Sequence, residues 1–497
     1  MRPRGLRILP LSLCILVWAA GCSHANFNFG GGGGGQTAPM FLAFHDTPAA
    51  GITVTSFEVT VTGAVLQPGN VSLLSAPQTI ELTHLQTNSA FLSTTKVPLA
   101  TYTSLTITYA SPQYTFLNNS GVQVTAGGQP CAAGASCVVA SPTASPLTLT
   151  LSSPSFPSVV VGATNQTLLE VDVNLNNIIQ SDFSLNFGSS VLNALGGPGG
   201  GAVTAKSTNN SGTPTAIGSV NVTGQVGTFS ATQIQLTPST GQPPLTIAVN
   251  SNTQFEFARD TNCTVNNLTC IATGQIVGAN VDILSDGTFA AAEIDFDDTS
   301  TTQQVSGTIV TENNSPPTSF QMIVHNTSPP VAGLTPGTPV TVNIANNASF
   351  VINNGSFVLP TGVSFASTSD VIVGQEVEAR VASGTSISSG AFTTDRLALE
   401  QTQIQSTVTS LNTTAQPPQP SFALNPLPPL FVSPVTQIFV FTVTQGTTGN
   451  TQFQALTPND ITGLTGLPRV TVGGFLFNTV GSPTIVATTV RGVVPGT

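Results

Sequence analysis

The chain has 497 residues, of which ten are Lys or Arg and 21 are Asp or Glu, so only 6% are charged and the formal net charge is −11. Globular proteins ordinarily carry about 25% charged residues. A membrane-spanning helix needs about 20 consecutive apolar residues, and no such run follows residue 21. Collagen-like chains need Gly at every third position, and the 47 glycines show no such period. The composition favours an exported protein that uses Thr, Ser, Asn and Gln in place of charged residues.

The N-terminus has the features of a secretory signal. Three arginines within the first seven residues precede an apolar segment of 13 residues, Ile8 to Ala20. That segment is too short to cross a bilayer and has the length of a signal-peptide core. We therefore expect residues 1–21 to be a signal peptide.

The residues that end this segment, Ala19-Ala20-Gly21-Cys22, resemble the lipobox of bacterial lipoproteins, with Ala19 where Leu is usual. The resemblance implies cleavage before Cys22, acylation of Cys22 and a lipid anchor that ties the protein to a membrane of the bacterial cell envelope. Several acyl chains on one residue anchor a protein stably. Ser23 indicates sorting to the outer membrane, on its periplasmic or its surface face. An ordinary signal peptide with an incidental Cys22 is the alternative.

Removal of the signal leaves seven basic and 21 acidic residues, a net charge of −14, and only two lysines, Lys96 and Lys206. A nucleic-acid-binding face needs several phosphate-neutralising cations together, so nucleic acid is excluded as a partner. The run Gly30 to Gly35 lacks the preceding strand, the following helix and the nearby Lys of a phosphate-binding loop. We therefore predict that residues 22–38 are a flexible tether and that the protein binds no nucleotide.

Four further cysteines form two local pairs, Cys131 with Cys137 and Cys263 with Cys270. Exported proteins meet an oxidising compartment, in which disulfides persist. Zinc is the alternative, but zinc sites favour closer Cys spacing and additional His ligands, and none of the four histidines is near either pair. We therefore predict two disulfides, each closing a short loop.

From Pro39 onward, short stretches alternate apolar residues with Thr or Ser, as half-buried antiparallel strands do. Turn signals of Gly, Pro and Asn separate these stretches, and no convincing helical periodicity occurs. Regular short strands of this kind indicate a β-sandwich, which we place at residues 39–191. The alternating stretches are Ile52 to Val61, Ser104 to Tyr109, Leu147 to Leu151 and Leu168 to Val173.

Part of this region resembles a bacterial lipoprotein family known as domain of unknown function 4382. Asp46-Thr47-Pro48 matches the Asp-x-Pro that ends an early strand in that family, and Pro98 to Tyr102 matches its turn, with Ala100 where Gly is usual. The resemblance covers about residues 39–190 and implies an immunoglobulin- or prealbumin-like sandwich, with no established catalytic residues. The similar segments are Phe41 to Leu66, Val97 to Tyr109 and Leu169 to Ile179.

Residues 192–218 are rich in Gly, Ser, Thr and Asn and are predicted to be a linker. Beyond them the sequence repeats: Val222-Thr223-Gly224 opens one unit and Val305-Ser306-Gly307 opens another. Each unit later has a glycine followed by a Val-rich strand, and we align Gly278 with Gly374 on this basis. A third, looser unit follows.

The repeat spacing of roughly 80–100 residues indicates domains rather than a solenoid. The repeated pattern resembles a family of small β-barrels known as domain of unknown function 5666. We expect units at residues 219–299, 303–408 and 409–497. The predicted fold is therefore all-β, with an N-terminal immunoglobulin- or prealbumin-like β-sandwich followed by three small β-barrel-like domains.

Residues 282–298 hold six of the 21 acidic residues. On a strand, Glu293 and Asp295 share one face, and Ile294 lies on the other. We favour a solvated strand face. A calcium site is the functional alternative, because carboxylates and turn carbonyls suit Ca²⁺. A glycosidase carboxylate pair is disfavoured, because it would need two opposed groups. The candidate calcium ligands are Asp282, Asp286, Glu293, Asp295 and Asp297, with Asp298 beside them.

No catalytic set is recognisable in the sequence. His45-Asp46 has no Gly-x-Ser-x-Gly nucleophile to accompany it, and we interpret Asp46 as a turn residue before Pro48. Sugar stacking generally uses Trp and Tyr, yet the only Trp lies in the signal and the three Tyr fall between Tyr102 and Tyr114.

The sequence therefore predicts a non-enzymatic, lipid-anchored envelope protein. It would act as an extended adhesive, scaffold or binding module for an unknown envelope protein or glycan. Two alternatives stay open: a calcium-stabilised glycan-binding protein, and an accessory subunit of an extracellular hydrolase. Apart from calcium, no cofactor is expected.

Overall fold

The computed structural model describes most of the chain from residue 36 onward. The predicted signal peptide 1–21, Cys22, most of the tether, Cys263, Asp297 and Asp298 lie outside the described residues. The described residues are 36–47, 49, 52–83, 89–140, 147–153, 156, 158–163, 165–186, 203–207, 216–238, 242–251, 253–257, 268–296, 303–328, 331–355, 357–387, 390–415, 419–431, 435–443, 451–454, 456, 460–465, 469–479 and 483–493.

The fold is all-β, as the sequence predicts. Besides strands, the described residues contain a four-residue helix, α1, at Leu175–Ile178 and three short 3-10 helices at Leu268–Cys270, Thr368–Asp370 and Ile461–Leu464. No helix in the described part of the chain is long and apolar enough to cross a membrane.

The first unit is a sandwich of two sheets. One sheet has the order β14-β13-β1-β5, and the other has the order β10-β7-β2-β3, with β11 on β7 and β4 on β2. Its strands are β1 Thr37–Thr47, β2 Thr53–Gln67, β3 Val71–Ser72, β4 Gln78–Glu81, β5 Ser89–Pro98, β6 Thr101–Tyr102, β7 Ser104–Leu117, β8 Val124–Ala126, β9 Gln129–Cys131, β10 Ser136–Ala140, β11 Leu147–Ser152, β12 Val159–Val160, β13 Asn165–Asn174 and β14 Val203–Ser207.

Strand β1 is apolar on both faces because it lies between two cores. Met40, Leu42 and Phe44 pack into the sandwich, whereas Phe41 and Ala43 pack into the core of the next unit. Successive side chains of a strand point to opposite faces, so a strand covered on both sides reads as a continuous apolar run. The first unit therefore shares its edge with the second.

The predicted linker 192–218 is not strand-free. It contains β14, which pairs with β13, and the second unit begins inside it at Ala216. The strands of this unit are β15 Ala216–Ser230, β16 Gln233–Pro238, β17 Leu245–Ala248, β18 Gln254–Phe257, β19 Ile276–Leu284 and β20 Phe289–Phe296.

The second unit closes on itself through the pairs β15–β16, β16–β17, β17–β20, β20–β19 and β19–β15. β15 also pairs in parallel with β5 of the sandwich, at Val220 with Ser89 and Asn221 with Ala90. A single ten-stranded sheet consequently runs through both units.

The third unit is a closed five-stranded barrel in the order β21-β22-β23-β25-β24. It repeats the second unit, since the long β23 pairs in parallel with β25 in two halves, on either side of a shift between Ile344 and Ser349, as β17 and β18 pair with β20. Its strands are β21 Gln304–Glu312, β22 Ser319–Ser328, β23 Pro339–Ile352, β24 Glu376–Val381 and β25 Ala391–Glu400.

Backbone contacts explain the opening Val-Thr/Ser-Gly motif of both repeats. A Cβ atom at Gly307 would clash with the carbonyl oxygen of Ile323, and one at Gly224 would lie 2.7 Å from the carbonyl oxygen of Thr237. Only glycine allows the next strand to approach this closely.

The hydrogen bonds correct our alignment of the glycines. Gly374 N–H donates to the Ile309 carbonyl at 2.8 Å, and Gly274 N–H makes the same bond to Val226 at 2.8 Å. Gly374 therefore corresponds to Gly274, not to Gly278 as the sequence suggested. The sequence suggested Gly278 because Val281 stands three residues after it, as Val377 stands three residues after Gly374, but Gly278 lies inside β19.

The fourth unit has the strand order β26-β31-β32-β29-β28-β27, with β30 on β32. β26 lies inside the range 303–408 that we assigned to the preceding repeat, but it pairs with β31, so this unit begins at Thr402 rather than at residue 409. Its strands are β26 Thr402–Ser406, β27 Val408–Thr409, β28 Phe422–Leu424, β29 Ile438–Thr442, β30 Gln452–Gln454, β31 Arg469–Phe477 and β32 Thr484–Val493.

The four units do not form an extended row, and that expectation is wrong. Residues 36–497 cluster as one compact unit, because β25 and β26 are separated by a single residue and because polar side chains bridge the units. Thr115 of the sandwich donates to the Gly337 carbonyl of the barrel at 2.9 Å. Asn119 of the sandwich donates to the Pro429 carbonyl of the fourth unit at 2.6 Å.

The described disulfide joins Cys131 to Cys137, as predicted. The loop is held further by Asn118, whose side-chain amide donates to the carbonyls of Val122, Cys131 and Ala132 at 2.8 to 3.0 Å. Only the backbone of Cys270 is described, so the second predicted pair stays a prediction.

We predict that the double variant Cys131→Ser/Cys137→Ser loses about 2 kcal/mol of stability, the chain-entropy value for a short closed loop. Denaturant unfolding and hydrogen exchange of residues 118–140 would measure the loss. A reductant should have the same effect on the exchange of residues 118–140 in the wild type and no further effect on that segment in the variant. Unchanged exchange in this segment would contradict the prediction.

Candidate functional site

A cavity of about 250 Å³ lies where the sandwich, the barrel and the fourth unit meet. The sandwich contributes the end of β1, the start of β2 and the connection between them. The barrel contributes β21 and the start of β24, and the fourth unit contributes β26 and the loop at residues 426–431. The site therefore exists only because the units fold back on one another.

Two buried residues with carboxylate side chains line the cavity. Asp46 is 0% exposed and Glu376 is 9% exposed. Asp46 follows Leu42 and Phe44 on the core face of β1, so the structure places it inside a strand rather than in the turn that we expected. Alternation along β24 turns Glu376 away from Val377, which points into the barrel core.

The rest of the lining combines hydroxyl and apolar side chains. Thr53, Thr55, Thr308 and Thr402 are among the hydroxyl residues, and the loop 426–431 supplies half-buried apolar ones. Ligand sites in proteins commonly pair an apolar wall with a few fixed polar groups. The cavity is slightly smaller than the roughly 300–1,000 Å³ of drug-sized sites, so it suits a small molecule.

His325 joins the sandwich to the barrel beside this cavity. Its Nδ1 atom lies 3.1 Å from Glu376 Oε2, and its Nε2 atom lies 3.0 Å from the main-chain oxygen of Thr55 in β2. The imidazole side chain is 10% exposed. Both ring nitrogens therefore face acceptors, one on each unit.

This arrangement favours the imidazolium form of His325. A carbonyl oxygen can only accept, so Nε2 carries a hydrogen, and a second proton on Nδ1 makes the contact with Glu376 a charge-assisted hydrogen bond. Burial alone would lower the pKa of His325, but the carboxylates of Glu376 and Glu81 and the Thr55 carbonyl outweigh it and raise the pKa above 6.5.

Thr308, His325 and Glu376 together have the residue types of a hydrolytic triad, but their hydrogen bonds differ. Thr308 Oγ1 lies 3.2 Å from His325 Nε2 but donates its own hydrogen to Glu376 Oε1 at 2.5 Å. Because Nε2 already donates to the Thr55 carbonyl, it cannot accept the threonine proton as a general base. The cluster ties two units together.

Sequence reasoning missed this convergent set. Thr308 stands opposite Glu376 in the β21–β24 register, and His325 comes from the neighbouring β22. The available signal was Glu376 and Glu378 alternating with Val377 and Ala379 at the start of a strand. Alternation shows which face a residue occupies, but it does not show what covers that face.

Two other junction contacts also use charged groups. Arg491 of the fourth unit lies 3.3 Å from Glu170 of the sandwich. Burial alone would raise the pKa of Glu170, but Arg491, His45 and Ser89 outweigh it and lower that pKa. Glu293 of the second unit accepts from Gln401 at 3.1 Å. Within the barrel, Arg396 and Glu378 form a buried pair at 3.4 Å.

The described calcium candidates have separate partners. Asp286 accepts from the Thr288 N–H and hydroxyl, and although partial burial would raise its pKa, these bonds lower it. Burial raises the pKa of Asp282. Glu293 accepts from Asn280 at 2.7 Å as well as from Gln401, whereas Asp295 is exposed.

Within the part of the chain that the structure describes, no group of three or more His, Cys, Asp or Glu side chains could hold a metal ion. Asp297 and Asp298 lie outside that part. On the described stretch of β20, Ile294 is buried and Asp295 is exposed, which agrees with the expected division of faces.

The three tyrosines belong to the sandwich core. Tyr102, Tyr109 and Tyr114 are each 1% exposed. Tyr102 donates to the Pro98 carbonyl at 2.8 Å, and Tyr114 donates to the Phe183 carbonyl at 2.6 Å. These rings are therefore not placed for stacking on a sugar.

Comparison with known proteins adds no family. A scan against protein-family models finds no match for this chain, and a search of the curated proteins finds none either.

We predict that stability falls as the pH rises from about 6.5 upward. The folded-state pKa of His325 lies above its unfolded value, so the imidazolium contribution is complete below about 6.5 and is lost as the pH passes the raised pKa. Thermal unfolding across this range would measure the slope.

The variant His325→Gln should flatten that slope and lose about 3 kcal/mol near pH 6, the usual cost of removing one partner from a buried pair. His45→Gln is the histidine control, since His45 interacts with Glu170 of the neighbouring strand β13. Identical slopes for the wild type and His325→Gln would show that His325 does not govern the pH dependence.

Proposed function

We propose that the protein is a lipid-anchored, non-enzymatic binding protein of the bacterial cell envelope, which takes a small ligand into the cavity between its units. The observation that carries the proposal is the cavity itself, whose walls come from three units and hold two buried carboxylates beside an apolar loop. Concave sites of mixed lining at domain junctions are the usual places for small-molecule binding.

The hydrogen bonds beside the cavity support binding rather than catalysis. Hydrolysis by a triad needs a hydroxyl whose proton is passed to the imidazole. Here the Thr308 proton is held by Glu376, and His325 is engaged with the Thr55 carbonyl. The side chains that could have reacted are used to fix the wall.

The anchor rests on the resemblance of the segment ending in Cys22 to a bacterial lipobox. Such an anchor suits a protein that holds a ligand at a membrane surface.

We predict that Cys22 is acylated. Cells expressing the wild type and Cys22→Ala would be grown with an alkyne fatty acid, and the wild type alone should be labelled. Cys131→Ser is the control for a cysteine that is not acylated, and it should label as the wild type does. Equal labelling of the wild type and Cys22→Ala would contradict the anchor.

We also predict that the mature protein retains a small envelope compound that depends on the cavity. The wild type and Leu427→Trp, which fills part of the cavity, would be incubated with envelope extract and analysed by native mass spectrometry. Val358 is 59% exposed and lies outside the lining, so Val358→Trp is the matched control. An identical set of bound compounds in all three proteins would contradict a role for the cavity.

A further inference from the structure

The cavity wall contains a set of hydroxyl groups that act as hydrogen-bond acceptors toward an occupant. Five lining hydroxyls direct their hydrogens into the protein, which leaves only their lone pairs for an occupant. The five bonds are Thr55 to the Thr115 carbonyl at 3.2 Å, Thr83 to Glu81 at 2.8 Å, Thr308 to Glu376 at 2.5 Å, Thr402 to the Gly374 carbonyl at 3.3 Å and Ser406 to the Pro426 carbonyl at 2.5 Å.

The loop 426–431, which forms the apolar wall, adds to the acceptors and lacks backbone donors at its prolines. Pro426, Pro428 and Pro429 line the cavity, and proline has a carbonyl but no backbone N–H. The same loop presents the Phe431 ring and Leu427 side chain to the cavity. An aromatic ring face attracts a cation and repels an anion.

Charge points the same way. Asp46 and Glu376 are buried in the wall, whereas Arg469, the cationic residue among the lining residues, is exposed and its charge is therefore screened by water. The chain as a whole carries −11, so its field attracts cations.

We propose that the cavity binds a small primary-ammonium compound, whose N–H groups donate to the wall and whose carbon skeleton packs on the loop 426–431. An ammonium group offers three donors and a positive charge, which match a wall of acceptors and carboxylates. The apolar loop selects an organic cation over a hydrated metal ion. The inference rests on the proposed binding function and names its ligand class.

His325 makes the binding dependent on pH. The groups that face His325 are Glu376 on β24, Glu81 on β4, the Thr55 carbonyl on β2 and Thr308 on β21. When His325 is protonated, it neutralises the Glu376 charge at the wall. When it loses that proton, the wall gains one net negative charge and should bind an ammonium group more tightly.

The test is calorimetric titration of the purified mature protein with 1-butylamine, 1-butanol and butyrate, which share a skeleton and differ in charge and donors. We expect 1-butylamine to bind at least tenfold more tightly than 1-butanol, and butyrate not to bind. The 1-butylamine affinity should increase between about pH 6 and pH 8 in the wild type, and this increase should be absent in His325→Gln.

Variants test whether 1-butylamine binds in the cavity. Asp46→Asn should weaken 1-butylamine binding at least tenfold, Leu427→Trp should abolish it, and Val358→Trp should leave it unchanged. Circular dichroism would establish that each variant is folded, and Leu427→Trp keeps the test decisive if Asp46→Asn does not fold. Equal binding of 1-butylamine and 1-butanol, or 1-butylamine binding that survives Leu427→Trp, would overturn the proposal.

The outcome also separates this inference from the proposed function. If the wild type retains an envelope compound that Leu427→Trp does not, while 1-butylamine fails to bind, the binding function stands and the ammonium class is wrong. If neither binds, both fail.

Discussion

The junction of the sandwich and the barrel depends on one buried imidazole placed between two acceptors. His325 reaches the Thr55 carbonyl on one unit and the Glu376 carboxylate on the other. A main-chain carbonyl can only accept a hydrogen bond, so the imidazole ring must supply a hydrogen at both nitrogens. The cavity lies against this junction and takes part of its wall from both acceptor residues. The protonation of this single side chain therefore affects the charge at the cavity wall.

Charged residues are scarce in this chain, which explains why the contacts at the junctions between units are important. Because only 6% of the residues are charged, most strand faces are covered by Thr, Ser, Asn and Gln. These side chains are solvated but create no strong electric field. Glu170, Glu293 and Glu376 are instead placed where units meet, each facing a donor from another strand or unit. A buried charge that lacks a partner is costly, so each of these carboxylates specifies which surface must cover it. In this chain the few charges add specific contacts where units meet, beside the apolar cores and the sheet that the units share.

Alternation of apolar and hydroxyl residues was enough to predict an all-β fold, a sandwich and repeated barrel-like units. It succeeded for β2, whose Val59 and Val61 are fully buried, and local spacing predicted the Cys131–Cys137 disulfide. The turn rule failed for Asp46, because Asp-x-Pro resembles a turn while the core face of β1 continues through that residue. Alternation failed for the junction, since Thr55 and His325 are 270 residues apart. A local sequence pattern carries no information about contacts between residues so far apart in the chain. The extended arrangement of the units was predicted wrongly for the same reason.

The two repeats show that the site is a property of the junction and not of the barrel. Gly274-Gln275 and Gly374-Gln375 make the same turn, and the glutamine side chain accepts from the Ala272 N–H at 3.1 Å in one repeat and from the Ile372 N–H at 2.9 Å in the other. The next residue is Ile276 in the first repeat, where it is 50% exposed, and Glu376 in the second. An isoleucine is tolerated there because no other unit covers it. The carboxylate at the equivalent position has a role only because His325 and the sandwich meet it. The same turn therefore precedes an exposed residue in one repeat and a residue of the cavity wall in the other. The difference lies in what packs against that residue.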